Sequence, residues 1–134
     1  MINMAFEHKE NEMKSRKLVY TASSKHFAYF KDHVSKFVIE QGYAPVSPWG
    51  VPYFMLDTVE RNSLRETNNT YVEKADEVWA FGPISDGVLA EVLLAKKSKK
   101  PVKFFKIIKS RDIKEISKDE VEFEDGLEKH RNEL

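Results

Sequence analysis

Short apolar runs alternate with longer amphipathic stretches from Lys17 onward. The runs 18–21, 78–81 and 102–108 have the length and apolar character of buried strands. After the first run, apolar residues recur at the spacing of one helix face, as Phe27, Phe30, Val34, Phe37 and Val38 do. Because such alternation is typical of βαβ units, the pattern predicts an α/β domain of the three-layer flavodoxin-like (Rossmann-like) kind, a parallel sheet with helices on both faces.

The middle of the chain adds a short strand and a long helix. Residues 43–46 predict an edge strand, since Pro45 has no N–H to donate to a neighbour. A helix is expected from about Asp57 to Ala75, and on one of its faces lie Leu64, Asn68, Val72 and Ala75. Asn68 is therefore expected to point inward among apolar neighbours.

The last third is less regular. A helix follows Gly82-Pro83, capped by Ser85 or Asp86, and Pro101 ends it. Residues 113–116 predict a weak fifth strand. Residues 119–134 form an acidic, charged tail to which the pattern assigns no structure.

Length and composition narrow the class of protein. Among the 134 residues, 22 basic side chains balance 22 acidic ones, so no global field favours a nucleic-acid polymer or a membrane surface as partner. The charged leader 1–16 is expected to be mobile, and residues 17–134 to form one domain. The chain contains no cysteine, and it has neither a run long enough to span a bilayer nor a signal-peptide core, so a cytoplasmic protein is expected.

Candidate chemistry gathers in three loops, 21–26, 47–54 and 82–91, because ligands of open parallel sheets bind beyond the carboxyl ends of the strands. Ser23, Ser24 and Lys25 could hold an anion or could simply cap a helix. Glu91 has apolar neighbours on its helix, so its carboxylate lies either in the cleft or on a solvated flank.

The histidines give no sign of a metal centre. His26 and His33 are more typical of surface or cap residues than of catalysts, and no pair of potential ligands has metal-binding spacing. Neither a metal nor a cofactor is expected.

Four segments in order, 20–24, 75–80, 86–91 and 99–102, resemble the nucleoside 2-deoxyribosyltransferase family, which includes the 2-deoxynucleoside 5-monophosphate N-glycosidases. The similarity covers about residues 17–108. It implies that Glu91 is the nucleophile that attacks the anomeric carbon, and that the Tyr20 hydroxyl orients it.

The resemblance places Asp86 near the base and sugar contacts. The predicted substrate-binding residues are Asn68, Asp86, Gly87, Ser23, Ser24 and Trp49. Two positions depart from the family. Asn68 stands where an aspartate is common, and an amide cannot act as a general acid. Ser23-Ser24-Lys25-His26 replaces a phosphate loop containing glycine and arginine, which leaves phosphate binding open.

Three functions remain open. The first is a hydrolase or transferase acting on the N-glycosidic bond of a (deoxy)nucleoside or nucleoside monophosphate. The second is a non-catalytic nucleotide-binding module of the same fold, and the third is a protein-interaction domain that uses Trp49, Tyr53 and Phe54. The family resemblance implies a nucleoside or nucleotide as the small-molecule partner and assembly into a homo-oligomer.

Overall fold

Within residues 13–48, 50–109 and 111–134, the computed structural model contains a five-stranded sheet with helices on both faces; the side chain of Tyr53 is outside this description. The strand order is β2-β1-β3-β4-β5. The strands are β1 (Leu18–Ser23), β2 (Ala44–Val46), β3 (Glu77–Phe81), β4 (Val102–Ile108) and β5 (Asp112–Ile116). The predicted three-layer α/β fold is confirmed.

The edge strand β5 departs from the otherwise parallel arrangement. It pairs antiparallel with β4, whereas β2, β1, β3 and β4 pair in parallel. Residues 109–111 are all that separate β4 from β5. A parallel crossover needs about a dozen residues, so a connection this short permits only a hairpin.

In the described part of the chain, three α-helices cover the two faces of the sheet. On one face, α1 (Lys31–Glu40) buries Val34 and Val38 against an aromatic cluster formed by Trp79, Phe81 and Phe105. The other face carries α2 (Arg61–Lys74) and α3 (Asp86–Lys97). Every residue of the central strand β3 is buried, as the apolar run 78–81 predicts for a strand covered on both sides. Glu77, which precedes that run, is also buried, and its carboxylate accepts a hydrogen bond of 2.9 Å from the Trp79 indole N–H.

Side-chain caps set where α2 and α3 begin. The second helix was predicted to start near Asp57, which is wrong by four residues. Tyr53–Thr58 instead form a 3₁₀ helix, and the Glu60 carboxylate then accepts hydrogen bonds from the backbone N–H groups of Asn62 (3.0 Å) and Ser63 (2.9 Å). Of the two candidate caps of α3, Ser85 holds that position by accepting from the Val88 N–H at 3.3 Å.

The acidic segment 117–134 packs onto the domain. Val121 and Leu134 are 3% exposed and join the core beneath α2 and α3. Phe123 forms a parallel bridge with Ile84, and the Ile84 carbonyl accepts from the Glu124 N–H at 2.9 Å. A segment that the sequence pattern left unassigned thus lies beside the loop that follows β3.

Most of the predicted leader, residues 1–12, lies outside the described residues. At its end, the Arg16 guanidinium donates to the carbonyl of Ile39 at 2.9 Å, near the carboxyl end of α1.

Candidate active site

A cleft of about 610 Å³ opens at the carboxyl ends of β1 and β3, where the strand order changes direction. This is the position at which open α/β sheets bind ligands. The cleft is walled by the loop after β1, the 3₁₀ helix 53–58, one face of α2, the first turns of α3 and the segment after β5. Its volume falls within the range of small-molecule sites, about 300–1,000 Å³.

Glu91 reaches the floor of this cleft from the second turn of α3. It is 8% exposed, and its Oε2 accepts a hydrogen bond of 2.7 Å from the hydroxyl of Tyr20. Tyr20 is fully buried in β1, between the sheet and α2. Its ring therefore stands behind the carboxyl group and fixes the position of Oε2.

Burial controls the protonation of this pair. It raises the pKa of Glu91 from 4.5 to about 7, although the hydrogen bond from Tyr20 and the charge of Arg65 act in the opposite direction. Burial, reinforced by the nearby carboxylate, also raises the pKa of Tyr20 far above its ordinary value. The phenol thus keeps its proton and donates a hydrogen bond to Glu91. The Glu91 carboxyl group itself gains or loses a proton near neutral pH.

Asn68 contributes an uncommitted polar atom to the same cleft. It projects from α2, and its Oδ1 is buried without a hydrogen-bond partner among the described residues. A buried carbonyl oxygen that lacks a donor costs free energy, so a ligand that donates a hydrogen bond there would recover that cost.

The charges along the cleft are mixed. Arg65 of α2 lies 3.7 Å from the exposed Asp86 carboxylate of α3, so these two side chains bridge the two helices at the rim. Lys25 and Arg61 supply further positive charge, and the carboxylates of Asp57, Glu124 and Asp125 supply negative charge. The cleft therefore has no uniform field of one sign.

The loop after β1 carries a histidine at the mouth of the cleft. Ser24 is buried and accepts from the His26 backbone N–H at 3.3 Å, which caps the 3₁₀ helix Lys25–Phe30. The imidazole Nδ1 lies 3.3 Å from the Ser24 Oγ and 3.4 Å from an Oε1 of Glu124. One ring nitrogen is thus positioned by two oxygens.

The residues singled out from the sequence come together. Six of the predicted catalytic and substrate-binding residues line this one cleft, namely Ser23, Ser24, Asn68, Asp86, Gly87 and Glu91, and Tyr20 contacts Glu91 from beneath. Trp49 and the side chain of Tyr53 lie outside the described residues, and Phe54 is 81% exposed on the 3₁₀ helix 53–58. The catalytic and binding roles of these residues stay predictions.

Sequence reasoning missed five charged residues of the cleft, namely Asp57, Arg61, Arg65, Glu124 and Asp125. Arg65 lies one helical turn before Asn68, so the face shared with Asn68 was a usable signal. Glu124 and Asp125 gave no signal, because nothing in the pattern indicates that the charged segment after β5 returns to the carboxyl ends of β1 and β3.

Two further features concern the described residues as a whole. No three His, Asp or Glu side chains among them are grouped closely enough to hold a metal ion. None of their helices has both the length and the apolar character needed to cross a membrane.

The fold and the cleft define an α/β protein of the flavodoxin-like class, with a ligand-sized site at the point where the strand order reverses. Within that class, the chain belongs to the family described as a domain of unknown function (DUF7768), whose model matches residues 9–105. The matched range includes β1 to β3, all three helices and most of β4, and it ends before Glu124 and Asp125. No curated protein matches the chain.

Proposed function

We propose that this protein is an enzyme that cleaves the N-glycosidic bond of a (deoxy)nucleoside or nucleoside monophosphate, by hydrolysis or by transfer of the sugar to another base, with Glu91 as the nucleophile. The observation that carries the proposal is the buried Glu91 carboxyl group on the floor of a cleft of about 610 Å³, held by the Tyr20 hydroxyl at 2.7 Å. A buried carboxylate positioned in this way suits attack on a carbon that develops positive charge.

In this proposal each oxygen of the Glu91 carboxylate has its own role. Tyr20 engages Oε2, which leaves Oε1 for attack on C1′ of the sugar. As the Oε1–C1′ bond forms, the C1′–N bond breaks and its electron pair leaves with the base. Water or a second base then attacks C1′ and releases the carboxylate, so that the enzyme is regenerated.

Release of free base tests the proposal. The purified protein is incubated with a panel of ribo- and deoxynucleosides and their 5′-monophosphates, with and without a second base, and the products are separated by chromatography. Glu91→Gln should remove activity by at least about 1,000-fold, because the amide is not a nucleophile. Glu66→Gln, an exposed glutamate of α2, is the matched control. Equal base release by Glu91→Gln and wild type would refute the nucleophile.

A Tyr20→Phe variant tests the orienting hydroxyl. Because the Tyr20 hydrogen bond lowers the pKa of Glu91, its loss should move the rise of kcat with pH to higher pH and should lower kcat by about tenfold. Tyr29→Phe removes an exposed hydroxyl and should change neither quantity. An unchanged pH profile in Tyr20→Phe would count against this role.

Asn68 favours a second candidate, a nucleotide-binding module without turnover. An amide cannot deliver a proton to a departing base, yet its buried, unpartnered Oδ1 can still accept a hydrogen bond from a bound nucleotide. Calorimetry with the same panel separates the two functions. Saturable binding without base release over long incubation supports the module, whereas turnover excludes it.

A further inference from the structure

Departure of a base from a sugar requires a proton source, and the cleft has to provide one. A purine or pyrimidine that leaves with the bond's electron pair is strongly basic, and protonation by a positioned acid accelerates such steps by about 100-fold to 10,000-fold. Asn68 cannot supply the proton, and Glu91 is committed as the nucleophile. Another side chain of the cleft must therefore do so if the proposed reaction takes place.

We infer that His26, oriented by Glu124, is the acid–base group of this cleft. The inference rests on the proposed function and adds a residue to it. Imidazole is the side chain that most readily exchanges a proton near neutral pH, and His26 is the only histidine among the described residues that line the cleft.

The geometry around His26 favours proton transfer from one particular nitrogen. Nδ1 lies 3.3 Å from the Ser24 Oγ and 3.4 Å from the Glu124 Oε1, so both oxygens engage the same side of the ring. Nε2 on the opposite side is then the nitrogen that can meet a substrate. The His26 side chain is 64% exposed, which leaves it open to reprotonation from solvent.

Glu124 is held where it can orient the ring. Its side chain is only 19% exposed, and its backbone N–H donates to the Ile84 carbonyl at 2.9 Å. The Ile84 N–H in turn donates to the Glu122 carbonyl at 2.8 Å. These bonds fix the backbone of residues 122–124 beside the loop after β3, and the low exposure of the Glu124 side chain limits its movement. A carboxylate behind an imidazole holds the ring in one orientation.

The proposed step balances in atoms and charge. While Glu91 forms its bond to C1′ and the C1′–N bond breaks, His26 transfers the Nε2 proton to a nitrogen of the leaving base and becomes neutral. In the second half, water attacks C1′, and neutral His26 takes a proton from that water. The sugar leaves Glu91 as the bond to its oxygen breaks, and both residues return to their starting states.

Other charged groups share the cleft with His26. They are Lys25 on the same 3₁₀ helix, Asp57 on the 3₁₀ helix 53–58, Arg61 and Arg65 on α2, Asp86 and Glu91 on α3, and Glu124 and Asp125 after β5. These groups are the same in wild type and in His26→Gln. A comparison of kcat between these two proteins on two substrates therefore isolates the role of His26.

The test varies how much the leaving base needs a proton. Each variant is assayed on a nucleoside that the panel finds to be turned over and on an analogue with a better leaving group. For a purine the analogue is the N7-methyl derivative, whose base is already cationic, and for a pyrimidine it is the 5-fluoro derivative. His26→Gln should lower kcat on the parent nucleoside by about 100-fold and on the analogue much less.

Glu124 is a positioning residue, so Glu124→Gln should show the same substrate dependence with a smaller loss on the parent. His33→Gln and Glu128→Gln, two exposed positions that do not line the cleft, are the matched controls and should leave both rates unchanged. Added imidazole should restore part of the activity of His26→Gly on the parent substrate.

The outcomes separate the two proposals. An equal loss on parent and analogue in His26→Gln would overturn the acid role of His26 while leaving Glu91 as the nucleophile. If wild type releases no base from any substrate, the proposed function falls and the role of His26 falls with it. If Glu91→Gln eliminates both rates and His26→Gln affects the parent alone, both proposals are supported.

Discussion

A buried carboxyl group links the chemistry of the cleft to the stability of the fold. Glu91 is 8% exposed, and burial raises its pKa from 4.5 to about 7. Between those two values the folded state binds a proton that the unfolded state has lost. Stability from this group is therefore fully present below about pH 4.5 and falls as the pH rises through 7.

We expect Glu91→Gln to reverse this loss, because the amide resembles the protonated acid and does not titrate. At about 1.4 kcal/mol per pKa unit, the variant should gain about 3 kcal/mol over wild type between about pH 5 and about pH 8.5. Urea unfolding at both pH values measures the difference. In Glu66→Gln, which alters a solvated carboxylate, the same comparison should give little change. A pH-independent difference between Glu91→Gln and wild type would contradict the protonation scheme.

Gly87 allows fold and function to be separated at one position. It lies in the first turn of α3 and lines the cleft, and a Cβ added there would meet no atom within 4 Å. Gly87→Ala should therefore raise the free energy of unfolding by about 0.5–1 kcal/mol, since alanine loses less backbone entropy in a helix.

The same methyl group would stand where a ligand approaches the start of α3. If Gly87 binds substrate, the stabilised variant should have a higher Kd for the nucleotide that the panel identifies, measured by calorimetry. Unchanged affinity in a stabilised Gly87→Ala would remove this residue from the binding surface.

At the scale of the elements, a lysine from outside α2 caps the carboxyl end of that helix. Lys100, just after α3, donates through Nζ to the carbonyls of Glu73 (2.7 Å) and Ala75 (2.5 Å) at the end of α2. These carbonyls have no partner within the helix, and a cation there also offsets the helix dipole.

Lys100→Met should lower the free energy of unfolding by about 1 kcal/mol, because it removes both charge-assisted bonds and keeps the aliphatic stem. Thermal unfolding followed by circular dichroism measures the loss. Lys97→Met, an exposed position near the end of α3, is the control and should stay close to wild type. Equal stability of the two variants would show that the bonds contribute nothing.

At the scale of the whole molecule, the segment after β5 is part of the cooperative unit. Val121 is 3% exposed in the core beneath α2 and α3. Val121→Ala should destabilise global unfolding by about 2 kcal/mol in urea, because it leaves a cavity in that core. Ile39→Ala, at a position 50% exposed on α1, should cost less than about 0.5 kcal/mol. If Val121→Ala changes stability no more than Ile39→Ala, the segment does not fold with the domain.

The sequence predicts the layers of this fold better than the walls of its cleft. Val34 and Val38 on α1 are placed by helical spacing, and Val78 to Phe81 of β3 by a continuous apolar run, because both signals are local in the chain. The contact between Tyr20 and Glu91 joins residues 71 positions apart. Pattern alone cannot give that distance, and only the family resemblance brought the two residues together.

The position of Glu124 could not be predicted from the sequence. The segment around it is mostly charged, and two of its side chains, Val121 and Leu134, are buried. So few apolar positions give no period from which a strand or a helix can be read. Its position depends on the backbone bonds to Ile84, which exist only once β3 is in place.

The arrangement of the cleft has a consequence for synthesis on the ribosome. Chains are made in residue order, and residues 121–125 are added only after β5 has ended at Ile116. Glu124 and Asp125 are thus the last of the cleft-lining residues to be synthesised. A nascent chain shorter than 124 residues lacks both carboxylates, so it cannot enclose a ligand as the folded domain does.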